Sequence, residues 1–140
     1  MALVAATADS GISILRTQDN ELQANVPSDF SFDTDSATLQ PRMKAVLDHF
    51  AADLDEAGLS QMQMLIVGHT DSRGPEAAND ALSLARANAV ARYLESKGIA
   101  PARIRVEGRG EHEPLIGNDM AVARALNRRV EIFLSEPAYR

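Results

Sequence analysis

The chain has 140 residues, enough for one domain with a real core, and its 45% hydrophobic and 24% charged content is that of a folded globular protein. A formal net charge of -6, with arginines spread along an acidic chain, argues against a nucleic-acid partner. Aromatic content of 4% with no Trp argues against stacking surfaces for sugars or bases, and the absence of Cys excludes disulfides, thiolate catalysis and cysteine-held zinc.

The first eleven residues lack the basic start and the long apolar stretch of a signal peptide. The chain therefore reads either as cytoplasmic or as one that begins after a removed targeting segment. No apolar run approaches the ~20 residues of a membrane helix. Ile12–Arg16 and Glu21–Val26 read as two short strands joined by the turn residues Gln18-Asp19-Asn20, a β-hairpin. Asp29–Asp35 reads as a loop carrying Phe30 and Phe32. Over Thr38–Ala57, Leu39, Met43, Val46, Leu47, Phe50 and Leu54 recur with the period of a helix that buries one stripe. Pro41 falls in its first turn and Gly58 closes it.

Met62–Val67 reads as a strand ending at Gly68, followed by the polar loop His69–Gly74. A second helix is expected over Glu76–Lys97, closed by Gly98, with Ala78, Leu82, Ala85, Ala89 and Tyr93 facing the sheet. Then come a strand at Arg103–Glu107, a glycine-rich loop over Gly108–Asn118, a short helix near Met120–Leu126 and a strand at Arg129–Leu134. The alternation predicts an α/β (α+β) fold, a two-layer sandwich of helices on a mixed sheet. Residues 1–27 are expected to form an N-terminal segment and hairpin, 28–135 the domain, and 136–140 a tail.

On the second helix Asn79, Ser83 and Arg86 line up beside the apolar stripe, so Arg86 sits at the border of the buried face. A guanidinium there needs an anion. Either it finds an internal partner such as Asp33, Asp35 or Asp71, or it grips a ligand carboxylate bidentately. Asp71 follows an inner strand, where ligands of open α/β sheets gather, although Asp-Ser-Arg-Gly is also a self-sufficient turn. Together, a fixed carboxylate and a fixed guanidinium would form a socket for a zwitterion. One arginine of Asn127-Arg128-Arg129 could cap carbonyls, bridge to an acidic loop or join the ligand rim.

Other motifs are weaker. Gly108-Arg109-Gly110 lacks the third glycine of a dinucleotide fingerprint, and Pro114 follows where a helix should open. His49 is expected on a helix surface, and His69 with Asp71 gives two metal ligands without a third. Glu111 and Glu113 read as solvated loop acids, and no serine sits in a nucleophile elbow. The expectation is a protein that is not an enzyme and carries no cofactor or metal.

Six motifs in register carry a family resemblance. They are Phe32-Asp33-Thr34-Asp35-Ser36-Ala37; Gly68-His69-Thr70-Asp71-Ser72-Arg73-Gly74; Asn79 ahead of Leu82-Ser83-Leu84-Ala85-Arg86-Ala87; Tyr93-Leu94 before Gly98-Ile99; Gly108-Arg109-Gly110 with Pro114 and Asn118; and Arg124 to Ile132. Over Phe30–Leu134 the chain resembles the OmpA-like C-terminal domain, the peptidoglycan-binding module of porins, the peptidoglycan-associated lipoprotein and flagellar stator proteins. The resemblance implies a β-α-β-α-β-α-β order, here with an N-terminal hairpin that resembles the lipoprotein members more than the porin tails. It also implies binding of the diaminopimelate residue of the peptidoglycan stem peptide by Asp71 and Arg86, with Asp33, Thr34, Asn79 and Arg128 lining the same pocket. Ala123 departs from the family's usual glycine. The expected location is the periplasm, attached to the outer membrane by an anchor upstream. The competing expectation is a module serving self-association, as a homodimer, or a motor or secretion complex.

Overall fold

The computed structural model describes residues 13–16, 22–33, 36–56, 62–71, 74–112 and 127–135. Strand β1 (Ser13–Arg16) pairs antiparallel with β2 (Leu22–Pro27), the expected hairpin. A single helical turn, α1 (Ser28–Ser31), follows, and then helix α2 (Pro41–Glu56). Strand β3 (Gln63–His69) leads to the long helix α3 (Glu76–Ser96), and a 3-10 turn at Pro101–Arg103 leads into β4 (Ile104–Gly108). The last described strand is β5 (Arg129–Ser135). The expected short helix near Met120–Leu126 and the termini lie outside the described residues.

The five described strands form one sheet in the order β1-β2-β5-β3-β4. β5 runs antiparallel to both β2 and β3, whereas β3 and β4 are parallel, so the sheet is mixed. Parallel neighbours need a crossover, and α3 supplies it. The two-layer expectation holds. Period-2 alternation sends Val26, Met64, Ile66, Val130, Ile132 and Leu134 into a core completed by Met43, Leu47 and Phe50 of α2 and Val90 and Leu94 of α3.

Three details correct the sequence reading. The Asp29–Asp35 stretch is not wholly loop, because its beginning is drawn into α1. The Phe32 N–H donates to the Ser28 carbonyl at 2.8 Å, and Phe32 then forms a β-bridge with Leu39. Next, β3 runs two residues beyond Val67, so His69 belongs to the strand and is only 1% exposed. Finally, the buried stripe of α3 is rotated from the expected one. Asn79, Ser83, Arg86, Ala87, Val90, Ala91 and Leu94 are buried, while Ala78 and Ala85 are exposed.

Close packing on the sheet explains that rotation. A Cβ on Gly68 would stand 2.0 Å from the Ser83 carbonyl oxygen, and one on Gly108 would stand 2.5 Å from the Leu84 nitrogen. Two glycines thus let the helix axis approach β3 and β4, which requires small residues at the contact. Ser83 and Ala87 meet that need. Ala89 and Tyr93 of the expected stripe lie partly buried at the flank, where the Tyr93 hydroxyl donates to Asp48 of α2 at 2.7 Å.

Candidate functional site

Strand register assembles one rim of the molecule. His69 at the end of β3 is paired with Arg129 at the start of β5, and Arg129 is also paired with Pro27 at the end of β2. Asp71, Arg128 and the α1 turn carrying Asp29 must therefore converge. The Ser28 N–H donates to the Arg128 carbonyl at 3.0 Å, which fixes α1 against the approach to β5. The N-terminal half of α3 adds Asn79, Ser83 and Arg86 from the side.

Arg128 is the hub of this rim. Its Nη1 donates to Asp71 Oδ2 at 2.6 Å, while Nε and Nη2 form a fork onto Asp29 Oδ1 and Oδ2 at 3.0 and 2.8 Å. The Arg128 hydrogen bond holds the Asp29 carboxyl below the usual aspartate value. Partial burial opposes that shift, and the charges of Arg128 and Arg86 add to it. Asp29 in turn keeps the Arg128 guanidinium protonated more firmly than an ordinary arginine, against a burial cost, with Asp71 reinforcing it. Asp71 is 5% exposed, and Asn79 Nδ2 donates to its backbone carbonyl at 3.3 Å and to Glu111 Oε1 at 3.4 Å.

Arg86 is also 5% exposed. Its Nε donates to the Ser36 carbonyl at 2.8 Å and its Nη2 to the Asp33 carbonyl at 3.4 Å, with the guanidinium 5.1 Å from the centre of the Phe32 ring. Internal partners therefore exist, but they include main-chain carbonyls of the loop after α1, a class the sequence reading did not weigh. The Asp33 carboxylate itself is exposed and accepts from Gln40 Nε2. The structure thus joins Asp71, Asn79 and Arg128 in one hydrogen-bonded group and Arg86 with the Asp33 backbone in a second. Asp29 feels the charge of both arginines. Thr34 lies outside the described residues. Asp29 was missed because it stood in a segment read as plain loop, where an exposed acid carries no periodic signal.

Residues 31–128 match the OmpA family. The chain belongs to the OmpA family. It is 39% identical over 126 residues to "probable lipoprotein YiaD" of Escherichia coli, covering 90% of this chain and 56% of that one. Among solved structures, the cell wall anchor of the T6SS from Pseudomonas aeruginosa superposes with a TM-score of 0.82 at 28% identity, covering 96% of this chain and 97% of that one. The peptidoglycan-associated lipoprotein from Burkholderia pseudomallei does so with a TM-score of 0.67 at 32% identity, covering 75% and 87%. The chain spans 56% of the length of that Escherichia coli relative and 53% of the length of outer membrane protein A of Bordetella avium, about half of each.

On the face of this OmpA-family sheet opposite α2 and α3 lies a second polar group. His69 Nε2 meets Glu131 Oε1 at 2.5 Å, Arg129 Nε lies 3.4 Å from Glu131 Oε2, and Gln23 Nε2 donates to the same oxygen at 3.2 Å. His69 is thus turned to Glu131, which replaces the two-ligand metal idea of His69 with Asp71. Burial raises the Glu131 carboxyl, but His69 and then Arg129 outweigh it and hold it below the ordinary value. Among the described residues, Glu76, Asp80 and His112 place three potential metal-ligand atoms within 4.8 Å of one another. The His112 ring lies 3.2 Å from Glu76 and 3.1 Å from Asp80, and the three side chains are half to two-thirds exposed, as in an ordinary surface ion pair. Sequence spacing hid this trio, since it joins an i, i+4 helix pair to a turn thirty residues on.

Proposed function

We propose that this chain binds peptidoglycan without chemically altering it, through the diaminopimelate residue of the stem peptide, and so tethers an envelope structure to the cell wall. The observation that carries the reading is the pair of buried, opposite charges, Asp71 and Arg86, each held by neighbours near one rim of the sheet. The side-chain end of diaminopimelate carries an ammonium and a carboxylate on one carbon. Asp71 takes the ammonium and Arg86 the carboxylate, with Asp33, Asn79 and Arg128 contributing to the same pocket. The solved relatives named as a cell wall anchor and as a peptidoglycan-associated lipoprotein support the wall-binding part of the reading.

Charge-assisted hydrogen bonds contribute ~1.5–3 kcal/mol each where water is largely excluded. Two of them, less the cost of association, give single-site affinity of about micromolar or weaker. A wall is a polymer of repeated sites, so an anchored domain gains through effective concentration. The working location is the periplasm, with attachment to the outer membrane supplied by another segment.

Titration of the purified chain with a diaminopimelate-containing muropeptide tests the proposal. Saturable binding is expected. It should be lost in an Asp71→Ala, Arg86→Ala double variant and much weakened with a lysine-type stem peptide, which lacks the second carboxylate. No binding at millimolar muropeptide, or equal binding by the double variant, refutes it. Intact muropeptide after prolonged incubation is expected of a tether, and released products would identify an enzyme instead. Similarity to a secretion-system anchor keeps assembly as a second reading. Light scattering with and without muropeptide separates the two.

A further inference from the structure

The fork that Arg128 makes onto Asp29 bears directly on how Asp71 is presented. Arg128 spends Nε and Nη2 on the two oxygens of Asp29 and reaches Asp71 with Nη1 alone. Paired fork-to-carboxylate contacts are the strongest geometry open to a guanidinium, and they hold even where one partner is partly exposed. The Asp29 side chain is 59% exposed, that of Arg128 24% and that of Asp71 7%, so the outer acid fixes the arginine that leans on the inner one. Two carboxylates share one guanidinium, and the group keeps a net charge of about -1.

Resting on the reading of Asp71 as the ammonium acceptor, we propose that Asp29 is a positioning residue of the binding site. By occupying the fork of Arg128, it stops that arginine from turning fully onto Asp71 and neutralising it. Among the described residues, Asp71 is the carboxylate that Arg128 still pairs with once Asp29 is removed, and the favoured geometry is a bidentate clasp of it. That clasp would compete directly with the ammonium of a ligand. Arg128 is thus an internal rival for Asp71, and Asp29 restrains it. The lines of charge point the same way, since the field of Arg86 also reaches Asp29, and removing Asp29 shifts the whole rim toward positive. A cationic group then finds a weaker site for two reasons at once.

The test is a double-mutant cycle on the full chain, read as affinity for a diaminopimelate-containing muropeptide. Asp29→Asn is expected to weaken binding by roughly five- to tenfold, less than the loss of one whole charge-assisted contact, because Asp71 keeps its carboxylate and only its competition with Arg128 changes. In an Arg128→Gln background the same substitution should change affinity by less than about twofold, because the rival it restrained is gone. Asp29→Glu, which restores a carboxylate able to accept the fork, should recover most of the loss. A urea midpoint for each variant shows whether the fold is intact. If wild type binds and Asp29→Asn binds equally well, the inference is overturned while the function stands. An Asp29→Asn loss that persists undiminished in the Arg128→Gln background also overturns it, since Asp29 would then act on the ligand itself. A wild type that fails to bind overturns both.

Discussion

Gly68→Ala adds one methyl group at the place where α3 lies closest to the sheet. The new Cβ would stand 2.0 Å from the Ser83 carbonyl oxygen and 2.8 Å from its carbonyl carbon, whereas ordinary van der Waals contact begins at 3.4 Å. Both atoms are main chain, so no rotamer change relieves the clash. The interval between 2.0 and 3.4 Å is the distance by which helix or strand must retreat. Separation on that scale opens the contacts of Ala87 and Val90, both 0% exposed, with the strands beneath. Overpacking of a tight core costs ~1–3 kcal/mol, and a backbone clash belongs at the upper end, so the expected loss is about 3 kcal/mol. With a urea m-value of ~2 kcal/mol/M, the midpoint should fall by about 1.5 M in circular-dichroism melts. Gly98→Ala is the internal control: its site has open space but a φ of 101°. It should cost only about 1 kcal/mol, from backbone strain alone. Equal midpoints for Gly68→Ala and the parent chain would refute the claim that the two glycines set the helix-to-sheet distance.

Three further outcomes follow from the core and the back-face polar group. Leu94→Ala empties a fully buried position of α3 and should cost about 3 kcal/mol in urea unfolding at 25 °C, without altering the m-value. Glu131→Gln removes the anion that faces both His69 and Arg129, and a loss of about 2 kcal/mol is expected at pH 7. Glu131 and Asp29 also set an acid limit. Both carboxyls are held below their ordinary values of 4.5 and 3.8, so their stabilisation is complete above those values and disappears as pH falls through the lower native ones. Urea midpoints should therefore drop below about pH 4.5 in the parent chain and drop less steeply in Glu131→Gln.

Element order was legible because each strand and helix repeats its own period. Met43, Val46, Leu47 and Phe50 mark α2, and the alternation Val130, Ile132, Leu134 marks β5. The buried face of α3 was not legible, because an apolar count cannot credit polar residues that find partners. Ser83 Oγ donates to the Asp80 carbonyl at 2.9 Å and accepts from the Gly110 N–H at 3.0 Å, and Arg86 donates to loop carbonyls. Each is buried at little cost, while Ala78 and Ala85, small and indifferent, are left outside. His69 misled for the same reason, since its partner Glu131 lies 62 positions away and local composition suggested a loop. Asp71 and Arg86 could be nominated as charges at a border. The role of Asp29 depends on the β2–β5 register, which no local window contains.

The position of β5 has a consequence for how the molecule comes into being. It follows every other described strand in the chain, yet it lies between β2 and β3 and is hydrogen-bonded to both. Until residues 129–135 are available, the hairpin and the β3–α3–β4 unit have no shared ladder and remain two separate pieces. Because Arg128 immediately precedes that strand, closing the sheet and completing the charged rim are one event. A chain cut short before residue 128 would lack both its central strand and the hub of its rim.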